Sequence, residues 1–209
     1  MAQIIKKEEL SDDKIKFLAG EIKNGKVFVI KTGTIYGICG NALDEKVVNR
    51  IYEIKNREYE KPLIVLVDSI DMLNQITYGL NDLERKITDK FWPGPVTVIL
   101  KKKELLSDIV TAKKNTVGVR KDESTLINRL IKEAVVPLVA PSANISGNKN
   151  ITSIDELEDE IKNKVDYIID EGKIIDDKVS TLIKVENENV EVLREGKIKK
   201  EDLSIFLSK

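Results

Sequence analysis

Ala140-Pro141-Ser142-Ala143-Asn144-Ile145-Ser146-Gly147 follows the short apolar run Val136-Pro137-Leu138-Val139. The run predicts a strand, and the polar tract predicts a loop at its carboxyl end. Small residues let backbone amides come close to a ligand, while Ser and Asn supply donors and acceptors. In open α/β sheets ligands sit just outside the carboxyl ends of strands, where such a loop would lie. Taken alone, Ser-Ala-Asn-Ile-Ser-Gly is an ordinary turn. The segments around it decide its meaning.

Upstream, Thr116-Val117-Gly118-Val119-Arg120 reads as a strand ending in a cation, followed by a helix through Leu126, Leu130 and Ile131. Before it, Trp92-Pro93-Gly94-Pro95 is a rigid turn into the strand Val96–Leu100. Lys101-Lys102-Lys103 is a solvated strand end, since Glu104 and Asp108 follow closely. Nearer the amino terminus, Ser11-Asp12-Asp13 caps a helix whose Ile15, Leu18, Ala19 and Ile22 share one face, stopped by Asn24-Gly25. Val27–Ile30 is a buried strand opening into the hydroxyl-rich loop Lys31–Gly37. Asp44 caps a second helix carrying Val47, Val48, Ile51 and Ile54, which runs out in the charged segment Lys55–Pro62. Leu63–Val67 is a strand, with helical patterns at Ile70–Ile76 and Leu83–Phe91.

Downstream, Thr152 or Ser153 with Asp155 or Glu156 predicts a capping box and a helix. Short strands then cluster at Tyr167–Ile169, Ser180–Ile183 and Val190–Arg194. Helices alternate with strands early, and strands crowd together late. The pattern predicts an α/β (α+β type) fold, a mixed parallel and antiparallel sheet with flanking helices. No repeat or linker divides the chain, so a single domain over residues 1–209 is expected.

Composition narrows the chemistry. Hydrophobic residues make up 41% of the 209, enough for a sizeable core. The 35 basic and 36 acidic residues nearly cancel, which argues against a broad polyanion-binding face. The lone cysteine, Cys39, excludes an internal disulfide and fits a reducing cytoplasm. The chain has no histidine, which removes Ser-His-Asp and Cys-His catalysis together with His-based zinc sites. Met1–Lys6 lacks a signal-peptide core and no apolar run approaches a membrane span, so a cytoplasmic protein is expected.

Five loop segments sit at predicted element ends and are rich in hydroxyls or cations: Thr32/Thr34/Tyr36, Lys55/Arg57/Lys61, Thr116/Arg120, Ser142/Asn144/Ser146 and Ser180/Arg194. Singly, each is an ordinary surface loop. Together they describe a cleft for anions, with arginine forks suited to phosphate or carboxylate. No Gly-x-x-x-x-Gly-Lys-[Ser/Thr] loop is present, and Gly37-x-x-Gly40 does not complete a dinucleotide fingerprint. The residues alone carry the reading as far as an anionic-ligand cleft.

Lys55-x-Arg57 followed by Ser142-x-Asn144 resembles the paired signature of the YrdC-type L-threonylcarbamoyladenylate synthases. Thr32-x-Thr34-Ile35-Tyr36-Gly37, Lys61-Pro62-Leu63, Phe91–Thr97, Val117–Arg120, Ser180-Thr181 and Arg194-x-Gly196 resemble the family too, in its order, from Asp12 to Lys197. The resemblance implies a concave sheet face and a nucleotidyltransferase that joins L-threonine, bicarbonate and ATP, releasing pyrophosphate. It implies Lys55 and Arg57 as catalytic cations, with threonine at Thr32, Thr34, Tyr36, Arg120 and Ser180. ATP would lie at Arg57, Lys61, Thr116, Ser142, Asn144 and Arg194. Mg²⁺ would ride on the ATP phosphates, with no ligand from protein side chains. The expected partners are a downstream tRNA-modifying transferase complex and, further, tRNA itself. Lys31, Gly33 and Leu66 depart from the family pattern, and glycine at 33 is expected to loosen the loop holding Thr32 and Thr34. Two other functions compete: an RNA-binding module, opposed by the sequence pI of about 5.8, and a carbamoyl-transfer domain.

Overall fold

The computed structural model describes residues 1–176 and 178–206. Ten strands form one sheet in the order β1-β8-β2-β3-β7-β4-β6-β5-β9-β10. They are β1 (Gln3–Lys6), β2 (Phe28–Lys31), β3 (Tyr36–Asn41), β4 (Ile64–Leu66), β5 (Val96–Lys101), β6 (Thr116–Arg120), β7 (Leu138–Val139), β8 (Tyr167–Asp170), β9 (Thr181–Glu186) and β10 (Asn189–Arg194). Pairing is mixed: β4 runs parallel to β6, whereas β7 is antiparallel to both β3 and β4.

The helices form where apolar spacing and caps agree. In α1 (Asp12–Lys23) the Ser11 hydroxyl accepts from Lys14 N, and Ile15, Leu18, Ala19 and Ile22 are buried. In α2 (Glu45–Ile54) the Asp44 carboxylate accepts from Lys46 N and Val47 N. Next come α3 (Ile70–Ile76), α4 (Asp82–Phe91), α5 (Asp108–Thr111), α6 (Thr125–Ala134) and α7 (Asp159–Lys164). Helix α1 packs on α6, and α2 packs on β3. No helix among the described residues is long and apolar enough to cross a membrane.

The structure corrects three local readings. Tyr36 and Gly37 begin β3 instead of ending a loop. All six β3 residues are buried and the strand pairs on both sides, so it lacks the alternation that marks a half-exposed strand. Gln3–Lys6, read only as lacking an apolar core, is an edge strand parallel to β8. The capping box at Thr152 does not start a helix. Glu156 turns its carboxylate onto Thr152 N at 2.7 Å, only a 3₁₀ turn (Ile154–Glu156) follows, and α7 begins later.

Candidate active site

Sheet register lays out the floor of the site. Ala140 N donates to Ile64 O, Ile64 pairs with Gly118, and Gly118 pairs with Ile99. These residues lie side by side across β7, β4, β6 and β5 and floor a cavity of about 520 Å³. The cavity therefore spans a sheet face, not a row of carboxyl ends. In a sheet where β7 opposes β4 and β6, no common carboxyl edge exists. The quoted stretch first extends β7 along β3, with Gly37 bridged to Ser142, before turning away.

Thr32, Thr34, Arg57, Lys61, Thr116, Arg120, Ser142, Ser180 and Arg194 all line this cavity. Nine candidates from five segments thus line one cavity. Four others, Tyr36, Lys55, Asn144 and Ser146, do not line it. Tyr36 is 1% exposed, and its hydroxyl donates to Gly172 O at 2.8 Å; burial pushes the phenol up to about 12. Asn144 is buried and donates to Ile145 O and Asn148 O. Lys55, 1% exposed, aims Nζ at the carbonyls of Ser142 and Asn144 (the latter at 2.6 Å) and at Asn144 Oδ1 (3.4 Å). Burial, with help from Arg57, pulls Lys55 down to about 7, and Glu158 opposes the shift. Lys55 straps the 142–144 loop and is not a cavity-wall cation. Ser146 N also donates to Lys55 O, so the loop is fixed to the end of α2 at main chain and side chain. The two halves of the signature are thus one mechanical unit.

At one end of the cavity the polar groups are buried and mutually bonded. Thr32 Oγ1 donates to Ile35 O at 2.7 Å and meets Thr34 Oγ1 at 3.1 Å. Arg120 Nη1 donates to Thr34 Oγ1 at 3.0 Å, while Arg120 Nη2 lies 2.5 Å from Asp122 Oδ2. Ser180 Oγ shares a hydrogen bond with Thr97 Oγ1 at 2.8 Å, and Arg194 Nη2 donates to Ser180 O at 2.9 Å. Gly196 has no room for a Cβ, which would sit 2.2 Å from Val179 O; its absence lets the chain after Arg194 lie against Ser180.

The loop expected to be loosened by Gly33 is tied at both backbone groups of that residue. A Cβ there would fall 2.2 Å from Glu123 Cγ. In its place Gly33 N donates to Asp122 Oδ1 at 2.7 Å and Gly33 O accepts from Lys197 Nζ at 2.8 Å. Leu66 is fully buried in the core.

The other end is a cationic rim. Arg57, half-buried, donates from Nε and Nη2 to the carbonyls of Lys61 and Pro62, and burial lowers its pKa. Lys61 and Lys114 are exposed beside it, together with Glu60. Sequence reasoning missed Lys114, Thr97 and Asp122. Asp122 was open to detection: two residues beyond Arg120 in an extended segment, it falls on the same side and carries the opposite charge. Lys114 carried no such signal. No group of three or more His, Cys, Asp or Glu suited to a metal occurs among the described residues.

The Sua5_yciO_yrdC family model, described as telomere recombination, matches residues 21–196. The chain is 44% identical to the putative threonylcarbamoyl-AMP synthase of Methanocaldococcus jannaschii, covering 94% of each. It is 34% identical to the threonylcarbamoyl-AMP synthase of Pyrococcus abyssi, covering 94% of this chain but only 58% of that relative's length. The crystal structure of P. abyssi Sua5 complexed with L-threonine superposes with a TM-score of 0.91 at 32% identity, over 99% of this chain and 60% of the other. The chain that folds around this cavity belongs to the Sua5/YciO/YrdC family.

Proposed function

We propose that the protein is an L-threonylcarbamoyladenylate synthase. The observation that supports it is the juxtaposition of two unlike ends in one cavity: a buried hydroxyl-and-arginine pocket and a cationic rim. An amino acid with a carboxylate and a β-hydroxyl suits the first, and a triphosphate suits the second. The relatives named threonylcarbamoyl-AMP synthase, and the L-threonine complex of P. abyssi Sua5, support the activity and threonine as a substrate.

In this reading threonine's amine and bicarbonate lose water to form a carbamate. A carbamate oxygen attacks the α-phosphorus of ATP, and the bond to the β-phosphate oxygen breaks to release pyrophosphate. Arg120 holds the threonine carboxylate, with Thr32, Thr34 and Ser180 around the small side chain. Arg57, Lys61 and Lys114 offset repulsion between the carbamate and the phosphates, while Thr116, Ser142 and Arg194 orient the nucleotide. Catalysis rests on placement and charge. Tyr36, Lys55 and Asn144 hold the loops. Among the described residues Glu60 is the one carboxylate lining the cavity, too few donors for a protein-held metal, so in this reading Mg²⁺ comes with the ATP phosphates. The product would pass in the cytoplasm to a tRNA-modifying transferase, with direct tRNA contact as a further element of the proposal.

The test is pyrophosphate release by the purified protein. It is expected only when L-threonine, bicarbonate, ATP and Mg²⁺ are all present. Equal release without threonine, or none with the full set, would sink the assignment.

A further inference from the structure

Asp122 is 0% exposed and gathers groups from three segments. Its Oδ1 accepts from Gly33 N at 2.7 Å, in the loop between Thr32 and Thr34, and from Ser124 N at 2.8 Å, at the cap of α6. Its Oδ2 faces the Arg120 guanidinium. Arg120 in turn donates to Thr34 Oγ1. The carboxylate thus touches both the loop that presents the two threonine hydroxyls and the arginine beside them, without lining the cavity itself. Asn128 Nδ2 donates to Asp122 O, and Lys121 O accepts from Gly94 N, so the segment bearing the carboxylate is itself anchored on both sides.

Two guanidinium groups share this wall. The pKa of Arg194 is lowered by burial and then by the charge of Arg120. Like charges at such a spacing repel, and a buried anion between the arginine and the backbone offsets this. A guanidinium reads a carboxylate through the fixed plane of its fork, so what fixes that plane sets binding. Arg120 donates one hydrogen bond, to Thr34, and is held against Asp122 Oδ2 as an ion pair; its buried Nε and that Oδ2 have no hydrogen-bond partner among the described residues.

We propose that Asp122 is the positioning residue of the amino-acid pocket: it sets the plane of Arg120 and the height of the Thr32–Thr34 loop together. This rests on the reading of the cavity as a threonine and ATP site. Asp122 makes no contact with the rim at Arg57 and Lys61, so its influence belongs to one substrate only.

The experiment compares wild type, Asp122→Asn and Asp122→Glu in matched titrations of threonine and ATP, with the thermal shift produced by threonine as a second readout. Asp122→Asn keeps an acceptor for both amides and removes the charge opposite Arg120. It is expected to raise the KM for threonine at least tenfold, hold the KM for ATP within twofold and lose most of the threonine-induced shift. Asp122→Glu keeps the charge but moves it by a methylene, and should raise the threonine KM at least threefold with ATP again within twofold. It carries the test if the asparagine variant does not fold. An unchanged threonine KM, or equal rises for both substrates, overturns the proposal. Failure of the underlying reading would appear instead in the wild type, as pyrophosphate release that ignores threonine.

Discussion

The Arg120 end and the Arg57 rim of one cavity both offer guanidinium groups, yet they are held in opposite ways. Arg120 is 2% exposed and paired to a fully buried carboxylate. Arg57 is half-buried, bonded to two backbone carbonyls with no carboxylate partner among the described residues, and flanked by exposed lysines. A buried pair is costly to assemble and fixes geometry, whereas a rim cation is cheap, adjustable and screened by salt. The difference fits the two tasks. A small amino acid is distinguished by where its few polar groups fall, while a triphosphate is held by charge.

Removing each arginine should break the comparison most visibly. Arg120→Ala leaves Asp122 buried and uncompensated, which should cost roughly 3–5 kcal/mol of stability as well as activity. Arg57→Ala leaves only carbonyls near water. It should slow pyrophosphate release about tenfold to 150-fold, from the loss of about 1.5–3 kcal/mol of charge-assisted contact, with stability almost unchanged. Urea unfolding beside steady-state rates separates the two. Equal stability losses would mean that the ends are not differently built.

A smaller effect tests where the boundary between the ends lies. Ser180→Ala should raise the KM for threonine more than that for ATP, because pockets that bond a hydroxyl depend on it strongly. The family resemblance gives Arg194 to the nucleotide. In the structure its Nη2 reaches both Ser180 O and, at 3.2 Å, Ser180 Oγ. The effects of Ser180→Ala and Arg194→Ala should therefore be non-additive, with a coupling of about 0.5–3 kcal/mol. Additive losses, with Arg194→Ala acting on ATP alone, would restore the simpler partition.

The same contrast separates what the sequence revealed from what it hid. Capped amphipathic helices such as α1 and α2 were legible because their periodicity and caps are local. Strand β3 was not, because a strand buried on both faces has no alternation to read. Nine candidate residues were found on one wall since each lies at an element end with exposed-looking chemistry. Lys55 and Asn144 looked no different in sequence. Their burial depends on the pairing of a helix end with a loop almost ninety residues downstream, which no local pattern encodes. Gly33 likewise appeared permissive until Glu123 was found to fill the space above it.

Lys55 offers a test of the framework beneath the cavity, because it ties the end of α2 to the loop that carries Ser142. Burial first, then Arg57, lowers it from the usual lysine value to about 7. Arg57 and Glu158 are the charged groups that act on it, and the Ser142 and Asn144 carbonyls favour its charged form. In the unfolded chain Lys55 keeps its proton to about 10.4. Between about pH 7 and 10 the unfolded state therefore binds more protons, and stability should rise with pH through this window. Below pH 7 both states are protonated and the cost of burying the charge is felt in full. Lys55→Met removes the term. Urea unfolding of both proteins at pH 6.5, 8.0 and 9.5 should show the stability of wild type relative to Lys55→Met increasing with pH. The increase should be on the scale of 1.4 kcal/mol per unit of net shift. Parallel curves would mean that the carbonyls hold Lys55 charged throughout.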